Sequence, residues 1–116
     1  MLEQLPSVLV VDDERHILEL LTALLEEEGY RVRRAVDGIA ALAEVDRLAP
    51  DLVVTDVTMP RLNGLELTKR LRERGIPTIV MSAVVHQVDD PCLIFIAKPF
   101  EIEQLLRLVS ETLAEC

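Results

Sequence analysis

The stretch Val8-Leu9-Val10-Val11-Asp12-Asp13-Glu14 runs four apolar residues straight into three acids. A strand with one wet face alternates apolar and polar residues. A run that is apolar at every position belongs to a strand covered on both faces, the signature of a parallel sheet sandwiched between helices. Leu52–Thr55, Thr78–Met81 and Leu93–Ala97 repeat the pattern. Tyr30–Val36 is weaker, with Arg31, Arg33 and Arg34 interleaved, as expected of a strand near the sheet edge.

Helical patterns lie between these runs. After Asp13, apolar residues at 17, 18, 20, 21, 24 and 25 lead to Gly29, a suitable C-terminal cap. Ile39–Leu48 follows Asp37-Gly38 and stops before Pro50, and Leu65–Arg74 follows Asn63-Gly64 and stops at Gly75. Ile102–Leu113 carries a stripe at 102, 105, 106, 109 and 113. The exception is the stretch from Ala83 to Cys92, about ten residues without a helical face. A parallel crossover needs about a dozen or more, so the fourth helix is expected to be short, irregular or absent. Alternating strands and helices give an α/β doubly wound parallel sheet. Ligands in such folds bind beyond the carboxyl ends of the strands.

Composition narrows the functions that a site there can serve. The 116 residues carry 21 acids against 12 bases, a net charge of −9, which suits one acidic domain spanning 1–116. Half of the chain is hydrophobic, enough for a packed core, and aromatic residues make up 3% with no Trp. Negative charge and scarce stacking surface argue against direct nucleic-acid binding. No signal-peptide pattern or bilayer-length apolar run occurs, so no membrane contact is expected and the chain reads as cytoplasmic. Cys92 and Cys116 form no CxxC and no Cys/His cluster, so neither a disulfide framework nor a zinc site is expected.

The strand ends hold the chemistry. The first run ends in Asp12 and Asp13, the third in Asp56 and the fourth in Ser82, while the fifth leads into Lys98-Pro99. Each residue has a structural reading alone: a helix N-cap for Asp12 or Asp13, a turn for Asp56, a strand-end hydroxyl for Ser82, a solvated cation for Lys98. Those readings predict no common edge, whereas these residues fall at four of five strand ends. Clustered carboxylates repel and favour a hard cation such as Mg²⁺, bound through oxygen. A carboxylate can attack phosphorus to give an acyl phosphate, with a cation, Lys98 and Ser82 neutralising the transferred group. The cluster reads as a phosphoryl-accepting site on aspartate. His86, the turn Asp89-Asp90-Pro91 and the basic residues Arg61, Lys69, Arg70, Arg72 and Arg74 read as loop or solvated surface.

With these residues in view, the chain resembles the CheY-like receiver domain of two-component response regulators. The resemblance rests on Val8–Glu14, on Asp51–Pro60 with Asn63-Gly64, on Pro77–Ala83 and on Lys98-Pro99-Phe100. It extends over a core of about 7–114. It implies a flavodoxin-like five-stranded sheet in the order 2-1-3-4-5. It also implies transfer of a phosphoryl group from a histidine kinase or phosphotransfer protein to Asp56, in a signalling domain rather than a turnover enzyme, although receivers also take phosphoryl groups from small donors. Asp13 and Asp56 would hold Mg²⁺ with the backbone carbonyl of Thr58, and Asp12 would join them directly or through water. Ser82 would follow the phosphoryl group, Lys98 would pair with it across a cis bond to Pro99, and Phe95 would be the switch aromatic that turns inward.

The departure from the family is the short segment after Ser82, together with a missing glycine before the fifth strand. It falls where many receivers build the surface for an output domain, a partner protein or a homodimer. Two alternatives follow: a receiver fold serving as a protein-binding scaffold without phosphorylation, and a haloacid-dehalogenase-like phosphatase. The second needs Asp-x-Asp, where this chain has Asp56-Val57-Thr58.

Overall fold

The computed structural model describes residues 5–57, 64–83 and 92–116. Five parallel strands, β1 (Ser7–Val11), β2 (Arg31–Ala35), β3 (Leu52–Asp56), β4 (Thr78–Ser82) and β5 (Leu93–Ala97), form one sheet in the order β2-β1-β3-β4-β5. Four helices are present among the described residues: α1 (Arg15–Glu27), α2 (Gly38–Arg47), α3 (Gly64–Glu73) and α4 (Ile102–Glu115). The expectation of a short or irregular helix within 83–92 falls mainly on 84–91, outside the described residues.

Burial explains the sequence pattern. Every residue of β1, β3 and β4 is buried, and alternate residues feed opposite cores. Val8, Val10, Leu52, Val54, Ile79 and Met81 pack with α1 and α4 through Leu18, Leu21, Leu25, Leu105 and Val109. Leu9, Val11 and Val53 point the other way, packing with α2 and α3 through Ala41, Val45, Leu67 and Leu71. Because a strand has period 2, two apolar cores require an apolar residue at every position. β2 lies at one edge and keeps its arginines partly wet.

Helix ends follow local rules. At the end of α1 the N–H of Gly29 donates to the Glu26 carbonyl and that of Tyr30 to the Leu25 carbonyl, with Gly29 at φ 96°. This paired closure needs a left-handed residue at the glycine position. Asp37 starts α2 by accepting the Ala40 N–H at 2.7 Å, a side-chain cap of the usual kind.

One expectation is overturned. Cys92 and Cys116 form a disulfide, with Cα atoms 6.0 Å apart. β5 rises from its first residue, and α4 returns along the sheet to the same level. Five strand residues span about 17 Å and fourteen helical residues about 21 Å, so the two ends meet although 24 positions separate them in sequence. Spacing rules for local cysteine motifs do not see a pair joined by a complete strand and helix.

Candidate functional site: a carboxylate cluster at the strand ends

The carboxyl ends of β1, β3, β4 and β5 bring the expected side chains to one edge. Asp12 follows β1 directly, and its N–H donates to the Ala35 carbonyl of β2 at 3.1 Å. Asp56 is the last residue of β3, and Ser82 ends β4. Lys98 follows β5, with its N–H donating to the Ser82 carbonyl at 2.8 Å, and the Lys98–Pro99 bond is cis.

Asp12, Asp13 and Asp56 each contribute a carboxylate oxygen to a group whose members all lie within 4.8 Å of one another. Asp12 and Asp56 are buried, while Asp13 is exposed. The Nζ of Lys98 donates to Oδ1 of Asp56 at 2.8 Å, and the Val57 N–H donates to the same oxygen at 2.9 Å. Two donors on one oxygen fix the orientation of the carboxylate before any substrate arrives.

The helix-cap reading of Asp12 and Asp13 does not hold. The residue at the α1 N-cap is Glu14, without a side-chain capping bond. Asp12 instead accepts the Glu14 N–H at Oδ1, 2.8 Å away, in a local turn. Burial pushes the Asp12 pKa above its ordinary value, and the negative charges of Asp56 and Asp13 add to that rise. The Glu14 N–H and Lys98 work in the opposite direction. A buried carboxylate facing two others sits at elevated energy when ionised, and a divalent cation among the three would relieve it. An all-oxygen donor set suits hard ions, Mg²⁺ among them, so the residues present fit such an ion.

Phe95 lies half-buried on β5, opposite Val80 of β4. Thr58, whose carbonyl is the expected fourth metal contact, lies outside the described residues, as does His86. Sequence reasoning missed three contributors. Two are backbone groups, the N–H of Glu14 and of Val57, which leave no mark in a sequence. The third is Gly64, where a Cβ would come within 2.2 Å of the Asp56 carbonyl oxygen. It was legible only as half of the Asn63-Gly64 pair.

The family model described as Response regulator receiver domain matches residues 8–110. The chain belongs to this family. The receiver is 41% identical over 107 residues to the response regulator MprA of Mycobacterium leprae, an alignment covering 85% of this chain and 47% of that one. It is 34% identical over 115 residues to the DNA-binding dual master transcriptional regulator RpaA of Synechocystis, covering 90% and 48%. The receiver therefore spans about half the length of the curated relatives it matches. Among solved structures, the response regulator TrrA of Thermotoga maritima in complex with Mg²⁺-BeF superposes with a TM-score of 0.81 at 32% identity, covering 93% of this chain and 99% of that one. The flavodoxin-like order expected of the family is the order observed. Among the described residues no helix is long and apolar enough to cross a membrane.

Proposed function

We propose that this receiver accepts a phosphoryl group on Asp56 from a histidine kinase or phosphotransfer protein, and that the acyl phosphate shifts the domain between two conformations. The observation that carries the reading is the pairing of Lys98 with Asp56 at 2.8 Å beside the Asp12 and Asp13 carboxylates. A carboxylate held by an ammonium and a backbone N–H, at the mouth of a parallel sheet, is an oriented oxygen nucleophile. An Asp56 oxygen forms the new O–P bond as the P–N bond of the donor phosphohistidine breaks, and the imidazole leaves with a proton. Asp13 and Asp56, with Asp12 and the Thr58 carbonyl, would hold Mg²⁺, which would neutralise charge on the phosphoryl oxygens. Lys98 then pairs with the phosphoryl group, and Ser82 donates its hydroxyl to it from the end of β4. As Ser82 moves, Phe95 turns inward on the neighbouring strand. Phosphorylation acts by favouring one of two pre-existing states.

The receiver is read as a single domain over 1–116, and its switched surface passes the signal to an output domain, a partner protein or a second receiver. The acidic chain works in the cytoplasm as a signalling acceptor, not as an enzyme with a separate substrate. The structurally similar TrrA was solved in complex with Mg²⁺-BeF, which supports a role for Mg²⁺ in this receiver. The test is a radiolabelled phosphoryl group from a donor kinase. Label on the natural chain is released by hydroxylamine, and Asp56→Asn takes up none. Hydroxylamine-resistant label in Asp56→Asn would remove Asp56 from the role.

A further inference from the structure

We propose that Cys92 and Cys116 form a reversible thiol–disulfide site, which fastens the end of α4 to the start of β5 when the chain meets a low-molecular-weight disulfide. The Cα separation of 6.0 Å falls within the range of about 4.4–6.8 Å that a disulfide can bridge. These are the two cysteines of the 116 residues, so within them no other pairing competes. Their environments differ in a way that orders the chemistry. Cys116 is exposed and lines a groove with Leu5, Pro6, Asp51 and Leu113, where a small reagent can reach it. Cys92 is half-buried beside it.

The Cys116 thiolate attacks one sulfur of the reagent, forming a mixed disulfide and expelling one thiolate. The Cys92 thiolate then attacks the Cys116 sulfur, forming the Cys92–Cys116 bond and expelling the second. The protein loses two electrons and two thiol protons, and the reagent is reduced to two free thiols. An excess of dithiol runs the sequence backwards.

The clamp fastens the exposed last turn of α4. Leu105, Val109 and Thr112 are buried, but Ala114 and Glu115 are exposed and Leu113 is only partly covered. The Cys116 N–H closes the helix on the Thr112 carbonyl at 2.9 Å. A helix end of this kind frays unless something fastens it. The closed ring contains all of β5, Lys98 and α4, so the tether restrains the same βα unit that reaches Asp56 from its other end.

The experiment uses the reduced chain at low concentration, incubated with oxidised glutathione and followed by thiol alkylation, intact mass, melting temperature and amide exchange over 108–115. The expected product is a monomer that takes no alkyl groups, and takes two after treatment with excess dithiothreitol. Its melting temperature lies about 10 °C above that of the reduced chain, from loop closure in the unfolded state, and its α4 amides exchange more slowly. Cys92→Ser and Cys116→Ser should match the reduced chain in melting temperature and ignore the redox state. Stable glutathione adducts at both cysteines, covalent dimers, or oxidised and reduced chains that melt and exchange alike would each overturn the proposal. None of these readouts involves Asp56, so they stand apart from the phosphoryl chemistry.

Discussion

A Cβ placed on Gly64 would lie 2.2 Å from the carbonyl oxygen of Asp56 and 2.7 Å from the Cα of Val57. The first turn of α3 thus packs its backbone directly against the strand end that carries the central carboxylate, and the Gly64 N–H donates to the Val57 carbonyl at 2.8 Å. Both clashing atoms belong to the backbone and cannot rotate away. Gly64→Ala should therefore destabilise the domain by about 2 kcal/mol despite alanine's better helix propensity. Chemical denaturation reads this directly, and an unchanged midpoint would contradict the close approach.

The fold was legible because its main determinant is a short-range signal. β1, β3 and β4 each announce burial on both faces by consecutive apolar residues, and the structure gives those residues to two opposite cores. The strand-end site was legible for a related reason: strand ends are where such runs stop, so Asp12, Asp56, Ser82 and Lys98 could be aligned by topology alone. What escaped was set by tertiary return of the chain. The Cys92–Cys116 bond depends on α4 coming back to the base of β5. Arg33 read only as one of three arginines in a strand near the sheet edge, yet its guanidinium reaches the Glu44 carbonyl, the Glu44 carboxylate and the Leu48 carbonyl at the end of α2. Nothing in the local pattern separates Arg33 from Arg34.

That difference has a measurable consequence. Arg33→Ala removes bonds to two carbonyls at a helix C-terminus and the pairing with Glu44, and should cost about 1–2 kcal/mol. Arg34 is exposed on the same strand, and Arg34→Ala should stay within about 0.5 kcal/mol of the natural chain. Equal losses from the two substitutions would show that the α2 contacts contribute nothing.

Asp12 gives a pH dependence of definite sign. Burial raises its folded-state pKa above the unfolded value, with Asp56 and Asp13 adding to the effect. The cost of holding it ionised is absent below the unfolded carboxylate range and grows as pH rises through the folded pKa. Without divalent cations, Asp12→Asn should stabilise the chain at neutral pH by on the order of 1 kcal/mol, because asparagine can still accept the Glu14 N–H. The gain should shrink towards about pH 4, near the ordinary aspartate pKa. Melting curves across that range would contradict the electrostatic account if the variant were less stable at neutral pH.

Lys98 contacts Asp56 from the turn that follows β5, so removing it should separate metal binding from signalling. Lys98→Ala should retain Mg²⁺ binding, since it leaves all three carboxylates in place, while losing the conformational response to phosphorylation. Amide chemical shifts recorded with and without acetyl phosphate read both effects. A full phosphorylation-induced shift pattern in Lys98→Ala would place the coupling elsewhere.

The central claim is that Asp56 is the phosphoryl acceptor of a cation-dependent site, and intact mass after incubation with acetyl phosphate tests it most directly. The account predicts a gain of one phosphoryl group per chain with Mg²⁺, none when the ion is chelated, and none in Asp56→Asn. No gain in the natural chain with Mg²⁺, or the same gain in Asp56→Asn, would contradict it.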